Sequence, residues 1–178
     1  MCSIESLKVD LGNIAVDETS LRYSLDNTYF SALEGAEVGA GCIDVTVDIK
    51  KTADKSFYLA FHITGEVTVA CDRCLDDMQQ PIDTDSELVV KLGQEDSDDD
   101  DVMIVDEDDP ILDLSWIIYE LVALAIPIKH VHAPGKCNRA MLEKLEEYSA
   151  AATRSSDEEK PAEIDPRWSK LADLNLNS

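Results

Sequence analysis

Apolar and polar side chains alternate with a period of two through much of the first half of the chain. Ile43, Val45, Val47 and Ile49 alternate with Asp44, Thr46 and Asp48, and Phe57, Leu59, Phe61 and Ile63 alternate with Tyr58, Ala60, His62 and Thr64. Each run predicts a strand with one buried face. Gly65 marks a point where the pleat can shift before Val67 and Val69 continue it. Ile82, Leu88, Val90 and Leu92 share one parity of a further strand, expected to begin after Pro81. Weaker strand patterns occupy 4–11 and 20–26, and 26–33 reads as a short capped helix. The connections are short, which favours antiparallel pairing over helical crossovers.

The period then lengthens. Leu114, Ile117, Ile118, Leu121, Val122 and Ala125 follow the spacing of one broad helical face, with Asp113 as the cap and Pro127 as the stop. A second helix is expected from about 138 to 150, with Met141, Leu142, Leu145 and Tyr148 turned inward. Residues 151–164 are small and charged and read as a flexible linker. Asp165 and Pro166 then open a short docking helix over 165–174, with Trp168, Leu171 and Leu174 on its apolar face. The expected fold class is α+β, a single domain over 1–150. A twisted antiparallel sheet is built mostly from 4–92, the two helices of 113–150 cover one face, and the C-terminal helix is tethered by the linker.

Composition changes what such a fold can do. The 178 residues include 38 acidic and 15 basic side chains, a formal charge of −23. That field disfavours a generic nucleic-acid binder and an anionic membrane surface, and favours basic proteins or metal ions. The charge is uneven: residues 95–109 carry 10 acidic and no basic side chains, whereas 110–178 carry 11 acidic against 8 basic. A solvated acidic loop is expected over 95–109, with Val102-Met103-Ile104-Val105 able to add a short strand. The loop lacks the ligand spacing and central Gly of a calcium-binding EF-hand. The start of the chain lacks a basic-then-apolar secretory pattern, and 5 cysteines cannot all pair internally, so reduced or metal-bound thiols in the cytoplasm are expected.

The sharpest chemical feature is Cys71-Asp72-Arg73-Cys74 between two strand patterns. A two-residue gap lets both sulfurs of a tight turn face one ion, half of a tetrahedral zinc site. The other half is expected from Cys137 with either His132 or His130, giving Zn2+ as the candidate cofactor. Two reduced thiols in a hairpin turn are the plainer alternative. A thiol-redox pair would need a helix N-terminus that this sequence does not offer, and the neighbouring Asp72, Asp76 and Asp77 disfavour a thiolate. Zinc deaminase chemistry wants a His-x-Glu that His62 does not begin. Glu120, alone among apolar neighbours, is either a solvated helix residue or a partner-facing acid. Lys136 and Arg139 belong to the basic cluster of 129–144, where a local RNA contact is electrostatically plausible. Trp168 is either an internal dock or an anchor for another molecule. No catalytic constellation emerges.

These elements together resemble the YceD-like family, the bacterial large-ribosomal-subunit RNA accumulation proteins. The likeness rests on Tyr29-Phe30-Ser31-Ala32-Leu33, Cys71-Asp72-Arg73-Cys74-Leu75, the helix from Asp113 through Glu120 to Pro127, and Asp165-Pro166-Arg167-Trp168. The matching positions are Cys71, Arg73, Cys74, Glu120, Pro127 and Cys137. The resemblance implies a cytoplasmic, non-enzymatic role in accumulation or processing of large-subunit ribosomal RNA, and a second cysteine pair after the Pro-ended helix. Here only Cys137 stands there, preceded by His130 and His132. With the charge, this leads to an assembly factor that binds basic ribosomal or assembly proteins and touches rRNA locally at most. A CxxC thiol-redox protein or a zinc-containing adaptor is the alternative.

Overall fold

The computed structural model describes residues 4–14, 18–33, 38–52, 55–93 and 102–149. One compact unit runs from Met1 to Cys137, and a second from Asn138 to Ser178. In the first unit, β1 (Lys8–Asp10) pairs antiparallel with β7 (Ile111–Asp113) as a small ribbon. The main sheet has the order β2-β3-β4-β5-β6, built from β2 (Glu18–Leu25), β3 (Ala40–Lys51), β4 (Ser56–Ala70), β5 (Asp77–Leu92) and β6 (Val102–Val105). Helix α1 (Asn27–Leu33) follows β2, and α2 (Leu114–Ala125) follows β7. The second unit contributes α3 (Arg139–Glu147).

Alternation becomes burial as the sequence predicts. Ile43, Val45, Val47 and Ile49 of β3, and Phe57, Leu59, Phe61, Ile63, Val67 and Val69 of β4, all lie in one core. Removing these side chains from water supplies roughly 1.5–3 kcal/mol each. Tyr29 and Phe30 of α1 and Leu114, Ile118 and Val122 of α2 close the same core. The Tyr29 hydroxyl donates to the Ser115 carbonyl at 2.6 Å, tying α1 to the first turn of α2. Burial pushes the Tyr29 phenol well up, so it stays a donor. Asp113 caps α2 through the Ser115 N–H at 2.9 Å, as expected.

The expected sheet needs amendment at four places. It is mixed, because β6 runs parallel to β5, with Val89 opposite Val102 and Leu92 opposite Val105. The acidic connection after Gly93 is long enough to bring the chain back in the same direction, which a short hairpin cannot do. The strand over 4–11 shrinks to three residues between 3₁₀ turns and belongs to the separate ribbon. The third strand begins at Asp77, and Pro81 sits inside it. Over 77–88 the far edge of β5 has no neighbour among the described residues, so a missing N–H is tolerated there. Finally, the helices closing the core are α1 and α2. Helix α3 buries none of its residues, and the expected inward pair Leu145 and Tyr148 is exposed. The linker over 151–164 and the helix over 165–174, with Trp168, lie outside the described residues.

Gly65 does not shift the pleat. It continues the ladder opposite both Ile43 and Ile82, at φ +146°. A Cβ there would lie 2.3 Å from the Cys42 carbonyl oxygen and 2.7 Å from the Ile43 Cα. Both obstacles are backbone, so neither can step aside. The opposite face of the sheet is wet and mostly acidic: Asp44, Asp48, Glu66, Asp83, Asp85 and Glu87 are exposed on it beside Arg22 and Lys50. His62 sits among them, exposed as expected, with Nδ1 2.7 Å from Asp85 Oδ1.

Gly65→Ala is expected to cost at least ~3 kcal/mol of unfolding free energy, in the range of severe single substitutions, measured by urea titration. Tyr29→Phe is expected to cost about 1 kcal/mol, the usual loss for one hydrogen bond.

Candidate metal centre

The long β4–β5 hairpin closes between Ala70 and Asp77, and its tip is Cys71 to Asp76. The tip is tight because backbone bonds make it so. The Cys71 N–H donates to the Asp76 carbonyl and the Leu75 N–H to the Cys71 carbonyl, both at 2.9 Å. Leu75 pays for this turn with a left-handed φ of 62°. The result is a knuckle in which Cys71 and Cys74 are both buried.

Asp72 then captures the chain leaving α2. Its N–H donates to the His130 carbonyl at 3.0 Å, and its carboxylate accepts the His130 N–H at 2.7 Å. The His130 ring sits 3.6 Å from the other Asp72 oxygen through Nε2, while its Nδ1 lies 3.0 Å from the Pro127 carbonyl. Both ring nitrogens of His130 therefore face protein partners, away from the sulfurs. Two residues on, His132 Nδ1 lies 3.4 Å from Cys74 Sγ. Gly135, at φ +80°, and the Lys136 N–H bond to Ala133 turn the chain back, placing Cys137 Sγ 3.9 Å from Cys71 Sγ.

The ligand atoms of Cys71, Cys74, His132 and Cys137 all lie within 4.8 Å of one another. A tetrahedral ion with S bonds of about 2.3 Å and an N bond of about 2.0 Å requires sulfur–sulfur edges of roughly 3.8 Å and sulfur–nitrogen edges of roughly 3.6 Å. The Cys71–Cys137 and Cys74–His132 separations match those edges. Three thiols and one imidazole suit a soft or borderline divalent ion. These four residues could therefore hold a metal ion, and of the two candidate histidines the fold brings His132 to the sulfurs.

Electrostatics prepare the site. Burial pushes the Cys71 thiol up, but N–H donors from Arg73, His132 and Cys74, with the His132 side chain, outweigh it and bring it down to about 5. The carboxylates that the sequence suggested would oppose a thiolate are outmatched by backbone donors of the knuckle itself. Cys137 moves the other way: burial raises it, and the neighbouring sulfurs of Cys71 and Cys74 raise it further. Three thiolates in such proximity repel each other, and a divalent cation relieves that repulsion.

The expected contact residues Glu120, Lys136 and Arg139 are not among the four clustered ligands. Glu120 is exposed on α2, and Lys136 is exposed in the turn before Cys137. Arg139, in the other unit, is exposed and faces Glu143 at 3.2 Å. Sequence reasoning missed the clamp by Asp72 and the solvent exposure of Leu75, Leu124 and Ile128 around the knuckle. The apolar run that continues past Pro127 to Ile128 was the available signal.

Residues 59–175 match the family described as large ribosomal RNA subunit accumulation protein YceD. The match takes in β4, the knuckle, α2 and the His/Cys segment. The chain is 30% identical over 138 residues to the uncharacterized protein YlbN of Bacillus subtilis (strain 168), covering 72% of this chain and 73% of that one. No solved structure matches.

His132→Ala, or Ser at Cys71, Cys74 or Cys137, is expected to lower bound divalent metal well below one per chain by elemental analysis of the purified protein. His130→Ala is expected to leave the stoichiometry unchanged. Asp72→Ala, which frees the segment without touching a ligand, is expected to weaken metal binding about 10–100-fold in a chelator competition, as loss of outer-shell support does.

Proposed function

The chain belongs to the YceD family of large ribosomal RNA subunit accumulation proteins, and we propose that it is a non-enzymatic assembly factor of the large subunit. It acts in the cytoplasm by binding basic ribosomal or assembly proteins, and any rRNA contact is local. The observation that carries this reading is the family match over 59–175, which spans both halves of the candidate metal centre. Charge selects the kind of partner. A chain of formal charge −23, with a sheet face lined by carboxylates, repels the phosphate backbone and attracts Lys- and Arg-rich proteins. Among the described residues no helix is long and apolar enough to cross a membrane.

The metal in this reading is structural zinc. Four protein ligands fill a tetrahedral sphere and leave no open position for water or substrate, which is the arrangement of structural rather than catalytic sites. When bound, zinc would supply a cross-link between the hairpin tip and the segment after α2. Asp72 holds that segment in place, and the N–H groups around Cys71 keep a thiolate ready. A redox reading draws on the same low-pKa Cys71 beside Cys74. Thiol titration separates the two: zinc at one per chain that masks three thiols until chelator is added supports the structural site. A metal-free pair with disulfide-exchange activity would reverse the assignment.

Cells lacking the protein are expected to show a specific deficit of large subunits in sucrose-gradient profiles, with small subunits in excess. The tagged protein is expected to retain basic large-subunit proteins after nuclease treatment. Normal subunit ratios would refute the assembly role, and loss of all partners with nuclease would assign the contact to RNA.

A further inference from the structure

The knuckle and the end of α2 border a cavity of about 500 Å³. Its lining includes Val69, Leu75, Ala123, Ile126 and Ile128, with Asp72 and His130 at the clamp. Leu75 is 67% exposed, Ile128 is fully exposed, and Leu124, next to the lining Ala123, is 82% exposed. Two large aliphatic side chains of one recess standing in solvent are not what a solvated surface tends to present. Leu75 is also held there by the tight turn, on a left-handed backbone closed by its N–H bond to the Cys71 carbonyl.

We propose that this recess is a docking site for a cationic segment of another protein, one that inserts a large apolar side chain between Leu75 and Ile128 and sets Lys or Arg against the surrounding carboxylates. The inference rests on the partner-binding reading above and assigns it a surface. Charge selects this occupant. Asp72, Asp76 and Asp77 stand around Leu75 in the chain, and Glu120 is exposed one helical turn before Leu124, against Arg73 and Lys129 as the local cations. The acidic sheet face continues from Asp77 along β5 through Asp83, Asp85 and Glu87, extending the attraction beyond the recess. A second copy of a −23 chain is repelled. The chain's own segment 165–174 carries two acids and two bases and gains nothing from the field. The anchor supplies affinity and the rim supplies orientation and rate, the usual division at an interface.

The test is selection from a displayed library of random 12-residue peptides on the full-length, metal-loaded protein, followed by anisotropy titrations with the enriched peptides. Enrichment of one or two large apolar residues flanked by Lys or Arg is expected. Affinity should fall at least about tenfold, or roughly 1.4 kcal/mol, with Leu75→Asp, and again with Ile128→Asp. Both side chains face solvent, so metal content and melting temperature should stay unchanged. If Leu75→Asp alone disturbs the knuckle, Ile128→Asp carries the test. An acidic or purely polar consensus would overturn the proposal, as would equal binding of oligolysine. Tighter peptide binding after deletion of 151–178 would assign the recess to the chain's own tail. Concentration-dependent dimers abolished by Ile128→Asp would assign it to a second copy, and binding of single-stranded RNA that is lost in the same variants would assign it to nucleic acid. Each of these overturns it. In cells, a deletion strain with normal subunits would sink the assembly role. A deletion defect fully rescued by the Leu75→Asp, Ile128→Asp double variant would sink only the docking site.

Discussion

The clamp between Asp72 and His130 is the contact on which the rest of the centre depends. The hairpin tip is rigid by itself, closed by bonds within Cys71 to Asp76. The segment after α2 has no regular structure of its own, and Asp72 receives it at the tip with both backbone and side chain. A charge-assisted bond to a backbone N–H is among the stronger single hydrogen bonds available to a protein. It fixes His130, and with His130 fixed the next residues have little choice: His132 reaches Cys74, and the turn at Gly135 returns Cys137 to Cys71. Sequence separations of 58 and 66 residues are thus closed by a contact that involves no metal ligand.

The long coiled hairpin makes this geometry possible. The β4–β5 pair runs without interruption from Ser56 opposite Lys91 to Ala70 opposite Asp77, so its tip extends past the last β3 pairing at Thr68 and far past β6. Gly65 lets β3 approach β4 closely, with the Cys42 carbonyl and the Ile43 Cα where a Cβ would stand. One face of that sheet buries the aromatic and branched core, and the other displays carboxylates to water. The division of labour is therefore spatial: stability comes from one face, the field from the other, and the chemistry from the tip.

Much of this was legible in the residues, and the parts that were not have a common cause. Local periodicity exposed β3, β4 and α2 because a half-buried element writes its own burial into its sequence. The Asp113 cap and the ligand types at Cys71, Cys74 and Cys137 were legible for the same reason: each is a local signal. Pairing is not local. Nothing in Val102 to Val105 says that its neighbour is β5 or that the two run parallel. Nothing in the short capped run of 26–33 says that Tyr29 and Phe30 of α1 join α2 in closing the core. The choice between His130 and His132 was likewise decided by a carboxylate 58 residues away, which no spacing rule contains.

The same reasoning explains why an ion at the knuckle would matter to more than stability. Cys74 and Leu75 are adjacent on one side, and His130 and Ile128 lie two residues apart on the other. Any ion that joins Cys71 and Cys74 to His132 and Cys137 fixes the distance between Leu75 and Ile128 as well. Cross-linking residues so far apart in sequence restricts the unfolded chain and the locally opened one alike. Three thiolates and a neutral imidazole around a divalent ion still carry a net negative charge, so filling the site does not oppose the acidic field. A cation there would therefore act through geometry: it would hold the hairpin tip and the segment after α2 together inside an acidic surface.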